Sequence, residues 1–267
     1  KIHFIGIAGI GMSSLAEFLY KNYTVSGSDL SGNEITTKLK KIGIKIYEDQ
    51  SAQNITNQDL IIYTSAIKNN NPELVEAKKR GIKCITRGEA LGEFTCKDNN
   101  VCITGTHGKS TTTNYLAQIL LNCGKKPSVF LGAINTKYNT NFIYNRSNLN
   151  VIEADESDNS FNFLKPDLSL ITNIDYDHMD FYGSKEKLYE AFQAFIKKTT
   201  KCVVVNFDCK NIQKNLKGLK SKKITTFGYQ NKKCDYYFTE NILGSLELYH
   251  GKRKVGEIFT NLEGLHN

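Results

Sequence analysis

Tryptophan is absent from this 267-residue chain, proline occurs three times and methionine twice. Asparagine is abundant instead, a compositional bias that points to no function by itself. No apolar run approaches the roughly 20 residues that a membrane-crossing helix needs, so no membrane association is expected. No signal peptide opens the chain, which starts directly on the strand-like Ile2-His3-Phe4-Ile5. An initiator methionine is also missing, and the sequence reads as trimmed at its start. Seven cysteines form an odd set without a Cys-x-x-Cys pair, which supports neither a zinc site nor a disulfide framework. Cys84, Cys102 and Cys202 sit in or beside apolar runs as small hydrophobes. A reducing cytoplasm is the expected location. Internal repeats and low-complexity segments are lacking too.

What is present describes an ordinary globular protein, 40% hydrophobic and 23% charged, long enough for two domains. The formal net charge is +8, but the lysines are scattered and no aromatic-basic motif accompanies them, so a nucleic-acid partner is not expected. A basic surface equally suits polyphosphate ligands.

The chain is organised around Val101-Cys-Ile-Thr-Gly-Thr-His-Gly-Lys-Ser-Thr-Thr-Thr113. An apolar run leads into a glycine-bearing loop and then into a segment with Tyr115, Leu116, Ile119 and Leu120 at helical spacing. A loop between strand and helix aims several N–H groups at one point, where the helix dipole adds positive character. Lys109 contributes a full charge and Ser110 a hydroxyl able to ligate Mg²⁺, the parts of a polyphosphate cradle. The spacing is not the standard Gly-x4-Gly-Lys-Ser. That pattern needs glycine at 103, where Ile103 stands, so the loop starting at Gly105 is two residues shorter.

Residues 1 to 95 read as one α/β unit. A strand over Ile2–Ile7 is followed by Gly6, Gly9 and Gly11, then by a helix with Met12, Leu15, Phe18 and Leu19 on one side. A second strand, Tyr23–Ser28, ends at Asp29, about 20 residues after the turn, where nucleotide-binding folds place an acid on a ribose. Apolar runs at 44–47, 60–63 and 84–85 alternate with helical segments such as 72–80, which predicts a parallel sheet. Ser65, after the 60–63 strand, has two readings: a phosphate donor or a helix cap. From residue 96 a second α/β unit begins, with strands at 101–104, 151–154, 168–174, 202–206 and 223–227. A helix opens at the N-cap Ser184, with Glu186 in its first turn and Leu188, Ala191, Phe192, Phe195 and Ile196 on its apolar face. The polar stretch 135–150 reads as a loop or hairpin.

Two polar clusters follow strands in this second unit. Glu153-Ala-Asp155-Glu-Ser-Asp158 holds four carboxylates in six residues, whose repulsion asks for a cation, and Glu153 is placed to give Mg²⁺ a hard oxygen. Asp175-Tyr-Asp177-His178-Met-Asp180 surrounds one imidazole with three acids, making His178 a candidate cation or substrate ligand. There is no convincing Ser/His/Asp or Cys/His nucleophile set.

Gly105-Thr-His-Gly-Lys-Ser-Thr111, Glu153-Ala-Asp-Glu-Ser-Asp158 and Thr172-Asn-Ile-Asp-Tyr-Asp-His-Met-Asp180 together resemble the Mur ligases, which build the peptide of bacterial peptidoglycan. The opening stretch from His3 to Ser14 carries the same resemblance, which spans the whole chain. Leu262-Glu-Gly-Leu-His266-Asn267 is similar to the family's adenine-contacting Gly-x-His-Asn motif. Family members continue beyond that motif into a third domain, so the resemblance implies a C-terminally truncated piece, expected to be inactive alone.

By this resemblance the fold class is α/β: a Rossmann-like parallel-sheet domain over 1–95 that binds a UDP-sugar, then an incomplete P-loop-type ATP-binding domain over 96–267. The implied reaction joins L-alanine to the carboxylate of UDP-N-acetylmuramate through an acyl phosphate, with ATP and Mg²⁺. Gly6, Gly9 and Gly11 are implied to face the diphosphate, with Asp29, Ser65 and Arg87 near the nucleotide. Gly105, Thr106, His107, Gly108, Lys109, Ser110 and Thr111 are implied to hold the ATP phosphates, and His266 and Asn267 the adenine. Lys109 is implied to neutralise the transferred phosphoryl group, Ser110 and Glu153 to hold one Mg²⁺, and His178 a second cation. His107 is implied to lie near the reacting groups. No counterpart of the carbamoylated lysine of some relatives is evident. The competing readings are a murein-peptide recycling ligase, an NAD-dependent oxidoreductase resting on the glycine turn and Asp29, and a nucleotide-binding module that ligates nothing.

Overall fold

The computed structural model describes residues 1–135, 140–145, 147–217, 223–241 and 244–259. His266 and Asn267 therefore lie outside the described residues. The elements run β1 (Ile2–Ile5), α1 (Ile10–Tyr20), β2 (Val25–Ser28), α2 (Glu34–Lys41), β3 (Lys45–Tyr47), β4 (Leu60–Tyr63), α3 (Pro72–Lys79), β5 (Lys83–Thr86) and α4 (Arg87–Thr95). They continue with β6 (Asn99–Thr104), α5 (Lys109–Asn122), β7 (Ser128–Asn135), β8 (Thr140–Ile143), β9 (Leu149–Glu153), β10 (Leu168–Ile171), α6 (Met179–Tyr182) and α7 (Lys185–Lys198). Last come β11 (Cys202–Asn206), α8 (Lys210–Asn215), β12 (Ile224–Tyr229), β13 (Tyr236–Glu240), β14 (Leu246–His250) and β15 (Arg253–Ile258). No described helix is long and apolar enough to cross a membrane.

By its contacts the chain divides into two compact units, 1–98 with 117–150, and 99–116 with 151–267. In the first unit five parallel strands lie in the order β3-β2-β1-β4-β5. The order reverses beside β1, so the glycine turn after β1 sits where α/β sheets place their ligands. Local chemistry sets the helix starts. Asn33 and Thr36 form a capping box on α2, Asn71 caps α3 with Pro72 behind it, and Thr86 pairs with Glu89 on α4. Ile5, Ile55, Ile61, Leu74 and Ala77 form a buried cluster beneath the sheet. The same unit holds an antiparallel pair, β7 with β8. The pair falls partly in 135–150, where the sequence predicts a loop or hairpin, whereas β7 is not among the predicted strands, although Val129, Phe130 and Leu131 are all buried.

Beneath β1 and β2 runs a buried polar network. Glu73, on the first turn of α3, accepts from Ser28 Oγ and from Asn54 Nδ2, the latter at 2.8 Å. His3 Nε2 lies 3.4 Å from Glu73 Oε1, both side chains fully buried, and its Nδ1 bonds Ser26 Oγ at 2.9 Å.

In the second unit the strands lie in the order β15-β14-β13-β12-β11-β10-β6-β9. From β6 through β10, β11 and β12 to β13 the pairing is parallel, and β13, β14 and β15 pair antiparallel. The last three strands are not among those the sequence predicts: β13 carries only the short aromatic run Tyr236-Tyr237-Phe238, and β14 and β15 interleave polar and apolar residues that are half-exposed or exposed. Ser184 caps α7 as expected, and Leu188, Phe192, Phe195 and Ile196 are buried. Phe161 packs on Phe192 and Phe195, with ring centroids 5.3 and 4.9 Å apart. Each such buried ring contributes about 1.5–3 kcal/mol, and together they pin the segment after the acidic run. α5 forms where expected, but Tyr115 and Ile119 are exposed while Thr113 and Ala117 are buried. The helix turns its small residues inward, which spacing alone does not reveal.

Candidate functional site

β6 and β10 pair in register, Thr104 opposite Ile171, so the loops after both strands leave the sheet at one edge. β9 flanks β6 on its other side, and Ala154 N–H donates to the Ile103 carbonyl. Three separate polar stretches of the sequence therefore meet at that edge.

The loop from Gly105 to Gly108 is a tight turn with φ of +134° and +81° at its glycines. A Cβ on Gly105 would lie 2.2 Å from Thr172 Oγ1, so no other residue fits there. The N–H groups of Thr106 and His107 are already spent on the 172–175 loop. The groups left to receive an anion are those of Gly108 and of the first turn of α5, Lys109 to Thr111, where the helix dipole also favours one. The expected seven-residue cradle is thus halved: its first half is scaffold and its second half is open. Thr106 is among the scaffold, its Oγ1 accepting from Asp175 N–H at 2.8 Å.

Lys109 folds back across the loop. Its Nζ donates to the Gly105 carbonyl and to Glu156 Oε1, each at 2.9 Å. Ser110 Oγ donates to Glu153 Oε1 at 2.8 Å. The four acids of the run thus separate by role. Asp155 and Asp158 accept from the N–H groups of Ser157 and Ser160, which makes them turn formers. Glu153 and Glu156 face the loop. Glu156 is 1% exposed, and burial pushes its carboxyl above the ordinary range although Lys109 opposes the shift. Its Oε2 has no partner among the described residues. The sequence singled out Glu153 and passed over Glu156, since nothing in a run of acids says which one the fold buries.

His178 sits at the N-terminus of α6 in the left-handed region, φ +57°, with its side chain 38% exposed. Its Nε2 lies 4.0 Å from Glu156 Oε1 and 3.9 Å from Asp177 Oδ2. Tyr182 donates its hydroxyl to the Glu156 carbonyl, and burial pushes that phenol up. Among the described residues no group of three or more acids, histidines and cysteines is arranged around a cation. Ser110 Oγ and Glu153 Oε1 nevertheless supply two adjacent hard oxygens, a donor set that suits Mg²⁺, which takes few protein ligands and completes its shell with water and phosphate.

In the first unit, the N–H groups of the glycine turn are largely consumed internally. Gly6 and Ile7 donate to the Ser28 carbonyl, Gly9 to the Gly6 carbonyl, and Ala8 to Asp29 Oδ2 at 2.8 Å. Asp29 Oδ1 accepts from Ser31. Asp29 therefore ties the turn to the end of β2. The donors α1 leaves open are at Ile10, Gly11 and Met12, because Gly9 at the N-cap offers no side chain and Ser13 N–H closes the first helical bond. Arg87 packs so closely on Gly11 that a Cβ there would lie 2.9 Å from its Nη1. Gly6 and Gly9 thus shape the turn, and Gly11 lies at its open end. Ser65 is exposed in the turn after β4, and Asn71 rather than Ser65 caps the next helix.

A parallel-sheet unit with a glycine turn at its switch point and a strand–loop–helix unit with a Gly-Lys-Ser-Thr loop define a two-part α/β protein. The chain belongs to the Mur ligase family: the family's catalytic-domain model matches residues 1–98 and its middle-domain model residues 103–267. It is 37% identical to the UDP-N-acetylmuramate–L-alanine ligase of Fusobacterium nucleatum, covering 100% of this chain and 58% of that protein. The crystal structure of the UDP-N-acetylmuramate-alanine ligase of Thermotoga maritima superposes with a TM-score of 0.84 at 31% identity, over 100% of this chain and 61% of that one. The UDP-N-acetylmuramate:L-alanyl-gamma-D-glutamyl-meso-diaminopimelate ligase from Neisseria meningitides shares the fold, with a TM-score of 0.89 at 24% identity over 99% of this chain and 88% of that one. The chain therefore spans about three-fifths of the length of the curated relatives it matches.

Proposed function

We propose that the protein carrying this chain joins the amine of L-alanine to the carboxylate of UDP-N-acetylmuramate at the expense of ATP, in the cytoplasm, as a step of peptidoglycan synthesis. The observation that carries this reading is the meeting of Lys109, Ser110, Glu153, Glu156 and His178 at one sheet edge, in a chain 37% identical along its whole length to a ligase so named. Residues 1–95 take the UDP-sugar, with the open N–H groups of Ile10 to Met12 and the Arg87 guanidinium as donors to its diphosphate. Residues 96–267 take ATP, with Gly108 to Thr111 around its phosphates and His266 and Asn267 at the adenine.

A carboxylate is a poor acyl donor because its leaving group would be oxide. Transfer of the γ-phosphoryl group makes an acyl phosphate, and the amine then attacks its carbonyl and expels phosphate. Two anions meet in the first step, so catalysis is mostly positioning and charge neutralisation, and no side-chain nucleophile is needed. Lys109 supplies the mobile positive charge. Ser110 and Glu153 would hold Mg²⁺, which offsets triphosphate charge when bound, and His178 would hold a second cation nearer the substrate carboxylate.

Phosphate release by the intact protein, with UDP-N-acetylmuramate, ATP and L-alanine, tests the reading. The expected result is release that depends on the amine. Saturable NAD binding without UDP-sugar binding would sink it in favour of an oxidoreductase, and ATP hydrolysis indifferent to any amine would leave only a nucleotide-binding module. Turnover with a preformed tripeptide in preference to L-alanine would move the assignment to a recycling ligase.

A further inference from the structure

The shortened phosphate loop is completed by one side chain from the loop that follows β10. His107 N–H donates to Asn173 Oδ1 at 2.9 Å, and Asn173 Nδ2 donates back to the His107 carbonyl at 2.9 Å. A single amide thereby satisfies both peptide groups of His107, much as a neighbouring strand would. The Asn173 backbone carbonyl accepts from Thr106 N–H at 3.2 Å, and Thr172 Oγ1 shares the His107 carbonyl at 2.7 Å. The approach is close throughout, since a Cβ on Gly105 would lie 2.8 Å from the Asn173 carbonyl oxygen. The far end of this segment carries His178.

We propose that Asn173 is a positioning residue for the phosphate loop. Its amide sets the His107 peptide and, through it, the aim of the N–H groups from Gly108 to Thr111 at a nucleoside triphosphate. The proposal rests on the nucleotide-binding reading of that loop. Asn173 acts through His107 and does not itself reach the phosphates. The role demands a donor and an acceptor on one short planar group, because His107 presents one of each. Aspartate has the same shape but only accepts, and it would set a carboxylate against the His107 carbonyl.

The test is steady-state kinetics and Mg·ATP binding by the full-length protein, comparing wild type with Asn173→Asp and Thr172→Val. Asn173→Asp is expected to weaken ATP binding and lower kcat/KM for ATP at least tenfold, with KM for the UDP-sugar within twofold. Thr172→Val keeps the side-chain volume, puts a methyl group where the hydroxyl bonds the His107 and Thr104 carbonyls and the Asn173 amide, and is expected to lose three- to tenfold in the same direction. It keeps the question open to measurement if Asn173→Asp does not fold. ATP parameters within twofold of wild type in the folded variants, or equal losses for both substrates, would overturn the proposal. If the wild type itself binds no nucleotide, the underlying reading of the loop fails instead, and the proposal with it.

Discussion

Lys109 Nζ lies 2.9 Å from Oε1 of the buried Glu156, and the same oxygen lies 4.0 Å from His178 Nε2. Glu156 thus faces both the lysine of the phosphate loop and the imidazole of the loop after β10, beside the direct bonds those two loops make. A buried carboxylate is stable there only because an ammonium faces it, and the ammonium is held in the loop by the same attraction.

Glu156→Ala strands the Lys109 charge beside two loop carbonyls. The expected cost is about 2–3 kcal/mol, read as a lower urea midpoint. The double variant Lys109→Met with Glu156→Leu should recover most of that loss. Strictly additive losses would show that the pair does not interact.

Lys109→Ala is expected to reduce ADP formation by at least a hundredfold in the full-length protein, in line with losing a charge that acts in the transition state. UDP-sugar binding should stay within a few-fold, since residues 1–95 supply its contacts in the proposed division. Joint loss of both activities would contradict that division.

Glu73→Ala removes the acceptor that Ser28 and Asn54 share and leaves buried His3 facing an empty site. A loss of about 3 kcal/mol is expected. Because the Ser28 carbonyl holds the N–H groups of Gly6 and Ile7, hydrogen exchange at those two amides should quicken beyond the global change. Unchanged exchange there would separate the network from the glycine turn.

Asp235 accepts from the Thr226 N–H and hydroxyl at 2.7 and 2.8 Å, and these bonds hold its carboxyl below the ordinary range. A depressed native pKa stabilises the folded state above the unfolded value of about 3.9, and that contribution fades as pH falls through the native one. The stability gap between wild type and Asp235→Asn should therefore be constant from pH 8 to 5 and narrow below pH 4. A gap that stays level to pH 2 would rule this out.

Much of the site could be read in advance wherever its signature is local. Gly-Lys-Ser-Thr after an apolar run announced strand, turn and helix, and Ser184 announced α7. Glu153 lies beside Ser110, at a strand's C-terminal end, a position that spacing can find. The partial role of the glycines was not legible: whether an N–H at Gly6 or Thr106 is free depends on carbonyls more than 20 residues away.

By itself, then, the sequence determined the alternation of strands and helices, the two glycine turns and the identity of the charged groups, because periodicity, capping and turn chemistry act over a few residues. Only the tertiary structure decided that Glu156 rather than Asp155 or Asp158 meets Lys109, that Asn173 closes the shortened loop, and that Tyr115 and Ile119 face outward. The first two outcomes depend on the in-register pairing of β6 with β10 and the placement of β9 beside β6, which join groups tens of residues apart that share no short-range pattern.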